Sequence, residues 1–175
     1  MENPIGRTQR RGTVGTDADL YETGPKLPDG LTRWTTYVMS RATQRGWTLL
    51  NRRLESSEVS PRLHALLVVV RDRGPVSQQE ISEVLRVDRT TIVAIADAAE
   101  NAGYISRDRD RVDRRRYALK LTEAGRRELD RADRLVAEAH DDLMADLTEA
   151  EQVTLHGLLI RLVPAAGEKY PEADR

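Results

Sequence analysis

The amino-acid sequence predicts a mainly α (α+β) chain, with a helix-turn-helix and a short β-hairpin held between long terminal helices. Three observations carry this. Aromatic residues make up only 4% of the chain and charged residues 33%, so a core must come from Leu, Val, Ile and Ala, a composition that suits packed helices. Two short capped helices adjoin across a tight turn between Ser77 and Ala102. After Gly103 the apolar period shortens to that of strands, then lengthens again beyond Thr122.

The 175 residues fit one ordinary domain. There is no cysteine, which excludes disulfides, thiolate zinc sites and thiol-based redox sensing. No apolar run approaches the ~20 residues of a membrane helix, and Met1 to Gly12 lack an apolar signal core. The expectation is a soluble, cytoplasmic protein that does not engage a membrane. The formal net charge of −1 conceals an asymmetry. Residues 128–175 hold 12 carboxylates against 5 cations, leaving the rest of the chain mildly basic. All cations but Lys26, Lys120 and Lys169 are arginine, which genome composition explains as well as guanidinium chemistry does.

Residues 1–30 are polar and interrupted by glycine and proline, and read as a flexible amino-terminal arm. Asp29 is placed to cap a helix from about Leu31 to Leu54, with Leu31, Trp34, Val38, Ala42, Leu49 and Leu50 on its apolar side and Gly46 as a weak point. Ser60-Pro61 opens a second helix carrying Leu63, Leu66, Leu67 and Val70, which ends near Arg73-Gly74-Pro75. Ser77-Gln78-Gln79-Glu80 is a capping box, starting a short helix with Ile81, Val84 and Leu85 inward. Arg86-Val87 breaks it. Asp88 caps the next helix, Arg89 to Ala102, with Ile92, Ile95 and Ala99 inside.

Tyr104–Arg107 and Tyr117–Leu121 read as strands, and the charged stretch from Asp108 to Arg116 as the hairpin tip between them. Thr122 caps a long helix bearing Leu129, Ala132, Val136, Ala139, Leu143 and Leu147, spaced as in a helix packed along another. Thr148–Glu151 is a second capping box, opening a last helix with Leu155, Leu158, Leu159 and Leu162 that Pro164 ends. The divisions that follow are the arm at 1–30, an amino-terminal helix at 31–59, the lobe at 60–121 and carboxy-terminal helices at 122–175.

This order of elements over Leu31 to Val163 resembles the MarR (multiple antibiotic resistance regulator) family of winged helix-turn-helix transcriptional regulators. The most specific match is Asp113-Arg114-Arg115 followed by Leu121-Thr122 and Gly125, like the family's wing of Asp-x-Arg and then Leu-Thr-x-x-Gly. The resemblance implies sequence-specific binding of double-stranded DNA, most simply as a ligand-responsive repressor on a pseudo-palindromic operator. It implies a homodimer formed by the terminal helices. It also implies that Arg115 enters a groove while Asp113 orients its neighbours. One departure stands out: the family's recognition helices often carry arginines where this chain has Ala94 and Ala98.

The residues themselves support that reading. The first residues of a recognition helix lie nearest the base edges, here Arg89, Thr90, Thr91 and Val93. Arginine bonds guanine with both arms, and threonine offers a hydroxyl and a methyl. Arg89 sits at the positive end of a helix dipole, which favours an external anion as its partner over simple solvation. Ser77 and Gln78 start a helix whose free amides suit a phosphate, a role compatible with plain capping. Arg107, Arg109, Arg111, Arg114, Arg115 and Arg116 outnumber Asp108, Asp110 and Asp113 around the hairpin tip. A charge run is often only a solvated surface, yet this excess suits a minor groove. Arg7, Arg10 and Arg11 offer the arm a phosphate contact, although a non-contacting arm suits its composition better. Burying the leucine rows of the terminal helices also calls for a second copy, with recognition helices about 34–36 Å apart.

Family members commonly bind a small aromatic or anionic effector. Trp34, Tyr37, Arg41 and His64 are the candidates to line such a site, and ordinary packing explains Trp34 and Tyr37 equally well. His64, His140 and His156 stand far apart in sequence, no cofactor or metal motif is visible, and no catalytic signature suggests an enzyme. The alternative is a winged-helix protein-interaction module without DNA readout, against which the basic wing argues.

Overall fold

The computed structural model describes residues 26–109 and 117–163, and the chain divides into two compact units, Met1–Thr48 and Leu49–Arg175. In the first unit the expected single helix is interrupted. A four-residue helix, α1 (Asp29–Thr32), is followed by a break at Arg33-Trp34 and by α2 (Thr35–Leu54), which runs on into the second unit. Asp29 is the first helical residue rather than the cap, and Pro28 precedes it with no side-chain cap. At the break the Thr32 hydroxyl donates to the Asp29 carbonyl (3.1 Å), and two further threonines follow Trp34. The Arg33 guanidinium lies 5.2 Å from the centre of the Trp34 ring.

The second unit contains α3 (Pro61–Arg73), β1 (Val76–Ser77), α4 (Gln78–Leu85), α5 (Arg89–Asn101), β2 (Ile105–Arg109), β3 (Tyr117–Leu121), α6 (Glu123–Met144) and α7 (Glu149–Leu162). Ser60 caps α3 by accepting from the Leu63 amide (3.2 Å), with Pro61 in the first turn as expected. Leu63, Leu66, Leu67, Val69 and Val70 of α3 form the middle of the core. Ile81, Ile92, Ala96, Ala99, Leu119 and Leu129 close over it from four other elements. Val84, expected inside, is exposed on α4.

The sheet has three antiparallel strands in the order β1-β3-β2. Only two were expected. β1 is a two-residue segment pairing Val76 with Leu119 and Ser77 with Ala118, which makes β3 the central strand. α6 docks through the Leu-Thr-x-x-Gly segment. The Thr122 hydroxyl donates to the Gly103 carbonyl (2.6 Å) and accepts from the Gly125 amide (3.0 Å), while the Thr122 amide donates to the Tyr104 carbonyl (3.0 Å). A Cβ on Gly125 would stand 1.9 Å from that same carbonyl oxygen, so the close approach requires glycine. The carboxy-terminal end of α2 is pinned to α6 by Arg53, whose Nε donates to Asp142 (2.8 Å) and whose NH1 donates to Glu138 (3.0 Å). α7 begins with the expected capping box of Thr148 and Glu151 but has no buried residue. Among the described residues, no helix is long and apolar enough to cross a membrane.

Candidate nucleic-acid interface

The helix-turn-helix is assembled from local bonds. In α4 the Ser77 oxygen accepts from the Glu80 amide (3.2 Å) and the Glu80 carboxylate accepts from the Ser77 amide (2.8 Å), completing the capping box. Arg86 ends the helix in a left-handed conformation (φ 52°), and the Ser82 hydroxyl donates to the Val87 carbonyl (2.6 Å) across the turn. Asp88 then caps α5, accepting from the Thr91 amide (2.9 Å) and from the Thr91 hydroxyl (2.6 Å). Those two bonds, the hydroxyl's the larger effect, hold the Asp88 carboxyl below its ordinary range.

This geometry separates the candidates on α5. Arg89 and Thr90 are exposed at the helix start, beside the positive dipole end. Thr91 is half-buried and its hydroxyl proton is committed to Asp88. Val93 is half-buried, while Ile92, Ala96 and Ala99 point into the core and fix which face is presented. Ser77 and Gln78, both half-buried, sit at the start of α4 with Ser77 also paired into the sheet.

Thr90, Ala94 and Ala98, a helical turn apart, form one wall of a shallow groove whose other wall is Glu58, Ser60 and Leu63. The Glu58 carboxylate accepts from the Tyr104 hydroxyl (2.8 Å), a bond that, with burial, pushes the Tyr104 pKa up to about 12. With alanines on one wall and a carboxylate on the other, this groove offers a phosphate little.

In the hairpin, Arg109 closes β2 opposite Tyr117. Arg111, Asp113, Arg114, Arg115 and Arg116 lie outside the described residues, and so do the arginines of the amino-terminal arm. Two cations at the hairpin base are engaged within the protein: Lys120 with Asp108 (2.6 Å), and Arg107 with Asp97 and Glu100 of α5. The charge run announced the sign of the hairpin but not these partners.

The effector candidates fall in both units. In the first, Trp34 and Tyr37 are exposed and Arg41 is half-buried. In the second, His64 Nε2 lies 2.7 Å from Asp133 Oδ1, and Arg71 NH1 donates to the other oxygen of Asp133 (2.8 Å). The spacing of His64 and Asp133 in the chain gave no sign of this pairing. His140 and His156, distant in sequence, line one cleft between α6 and α7 together with Met144. Among the described residues, no group of three or more His, Asp or Glu side chains is placed to hold a metal ion.

Residues 59–117, the span from the start of α3 to the hairpin, match the MarR family. An HTH-type transcriptional regulator of Bacillus subtilis, YpoP, is 30% identical over 105 residues, which cover 60% of this chain and 74% of that protein. The chain belongs to the MarR family. A transcriptional regulatory protein for the hcr operon of Thauera aromatica is 38% identical over 104 residues, 59% of this chain, and the match spans 63% of that relative's length. Among solved structures, the transcriptional repressor CouR of Rhodococcus jostii, bound to a 23-mer DNA duplex, superimposes with a TM-score of 0.72 at 29% identity, covering 79% of this chain and 99% of that one. The chain thus has the winged-helix fold of the MarR family, and the relatives it matches are named as transcriptional regulators.

Proposed function

We propose that this regulator works as a homodimer that reads a pseudo-palindromic operator in double-stranded DNA and represses transcription until a small effector binds. The observation that carries the reading is the exposure of Arg89 and Thr90 at the start of α5, on a helix whose opposite face is locked into the core by Ile92, Ala96 and Ala99. Such a helix presents a cation and a hydroxyl to a groove without unfolding anything to do so. CouR, a similar fold at 29% identity, is solved with a DNA duplex, which supports DNA as the partner.

In this reading the DNA-binding lobe is 60–121, and 31–59 with 122–175 supply the dimer contacts, for which α7 offers exposed apolar side chains on two sides, Val153 with Ile160 and Leu158 with Leu162. Arg89, Thr90 and Val93 face bases, Thr91 keeps α5 capped and adds its methyl to the same face, and the start of α4 meets a phosphate, with Ser77 holding the capped turn and Gln78 offering its amide. Arg109, Arg111, Asp113, Arg114 and Arg115 serve the wing. Trp34, Tyr37 and Arg41 are the effector candidates of the first unit, and His64, already held by Asp133, that of the second.

The test is capture of genomic fragments by the protein, followed by mobility-shift titration of the enriched sequence at several salt concentrations. Affinity should fall with salt at a slope near 0.9 per phosphate neutralised. Arg89→Ala should cost roughly 1–3 kcal/mol at particular base pairs and relax preference there. No enrichment, together with no duplex binding at low salt, would return the fold to the role of a protein-interaction module.

A further inference from the structure

Arg107 belongs by sequence to the arginines of the hairpin, yet it does not face outward. It stands on β2 in register with Leu119, and its side chain is only 24% exposed. The guanidinium reaches back to α5, where NH2 pairs with Asp97 and NH1 lies 3.2 Å from the Glu100 carboxylate. Its Nε is buried without an acceptor among the described residues, so the two terminal nitrogens carry the whole attachment. Asp97 and Glu100 are three residues apart on one face of the helix, eight and eleven residues beyond Arg89, or about 12–16 Å along the axis.

The helix is anchored unevenly. Its first half enters the core through Ile92, with Ile95 packed beside it, while its second half meets the core through Ala96 and Ala99. Alanines allow close approach but interdigitate little, so the second half gains most from a further restraint. A two-pronged charged fork from the neighbouring strand supplies it. The same strand leads in sequence into the charged stretch of the hairpin, so what fixes β2 against α5 fixes the point from which that stretch leaves the lobe.

We infer that Arg107 is a positioning residue: its bridge from β2 to Asp97 and Glu100 sets the angle between recognition helix and wing, and with it the operator specificity, without Arg107 touching DNA. This rests on the DNA-binding role proposed above. It predicts an effect opposite in sign to simple electrostatics. Neutralising Asp97 and Glu100 removes two negative charges from a lobe that meets a polyanion, which by Coulomb's law alone strengthens binding. Loss of the bridge weakens it.

The experiment compares wild type, Arg107→Ala, Arg107→Lys and the double variant Asp97→Asn/Glu100→Gln in mobility-shift titrations against the captured operator and a random duplex. Arg107→Ala and the double variant should each lose about tenfold in operator affinity, with binding to the random duplex unchanged or tighter. Lysine, a point charge that engages one carboxylate at a time, should recover part of the loss. The salt slope of Arg107→Ala should equal that of wild type. A slope lower by about 0.9 would make Arg107 a phosphate contact and overturn the inference, as would tighter operator binding by the double variant. A readout without DNA separates this from failure of the functional reading. In the free protein, Arg107→Ala should speed hydrogen exchange of the amides of residues 97–101 several-fold, and unchanged exchange would refute the bridge. Failure of wild type to shift any duplex, with exchange altered as expected, would overturn the DNA-binding role and with it the part assigned to Arg107 in specificity.

Discussion

The winged lobe and α7 are built from the same few residue types and end in opposite conditions. In the lobe, Leu66, Leu67, Ile81, Ile92 and Leu119 are fully buried among one another, and each helix start is tied by a side-chain cap. α7 is as well capped by Thr148 and Glu151, yet Val153 is 70% and Leu162 66% exposed, and no residue of the helix is buried. Capping therefore decides where a helix begins, while burial decides whether it belongs to the subunit's own core. The lobe is closed on itself. α7 carries its apolar side chains outward.

The sharpest way to break this contrast is at the centre of the lobe. Leu66→Ala should cost about 4 kcal/mol in denaturant unfolding, since the site is enclosed by three helices and a strand and cannot collapse. A loss below about 1 kcal/mol would mean that the lobe is not the stability centre. Gly125→Ala should follow at about 3 kcal/mol, because the new methyl meets the Tyr104 carbonyl, a backbone atom that cannot swing aside. Its unfolding should be cooperative, with the end of α5 and the start of α6 loosening together in hydrogen exchange. Normal stability in Gly125→Ala would show that this docking can shift without penalty.

The opposite result is expected at α7. Leu158→Ser with Ile160→Ser should leave the unfolding of an isolated subunit within about 0.5 kcal/mol of wild type, as surface changes do. The same pair should weaken self-association measured by sedimentation. A subunit destabilised as strongly as by Leu66→Ala would mean that these side chains face its own core and would erase the distinction.

What could be read in advance follows the same division. The caps at Ser77, Asp88, Thr122 and Thr148 were legible because each is a bond across three residues, written in adjacent letters. The helix-turn-helix followed from two of them. β1 was not legible: two residues have no period, and Val76 becomes a strand only because Leu119, 43 positions on, lies opposite. The interruption at Arg33-Trp34 escaped because the apolar period continues across it. At the candidate interface the sequence supplied the residues and their charge. It did not show that Thr91 is spent on a cap, or that Arg107 is turned toward α5. Both depend on which way a side chain points once distant segments have packed.

The smallest effect concerns the start of α5, where the lobe's rigidity gives way to its exposed reader. Asp88 is exposed, so its cap contributes locally rather than to the core. Its folded pKa is lowered, so the stabilisation is present above the unfolded value near 3.9 and is lost as pH falls through the depressed folded value. The Thr91 amide, followed by NMR from pH 6 downward, should therefore change little until below the ordinary carboxylate range and then lose its bonded shift. Asp88→Asn keeps an acceptor for that amide but carries no titrating charge, so the transition should vanish while α5 stays formed. A Thr91 amide that titrates at the ordinary aspartate value, or identically in both proteins, would mean that the recognition helix is started by something other than this cap. Its exposed end would then share the lobe's rigidity instead of hanging on one carboxylate.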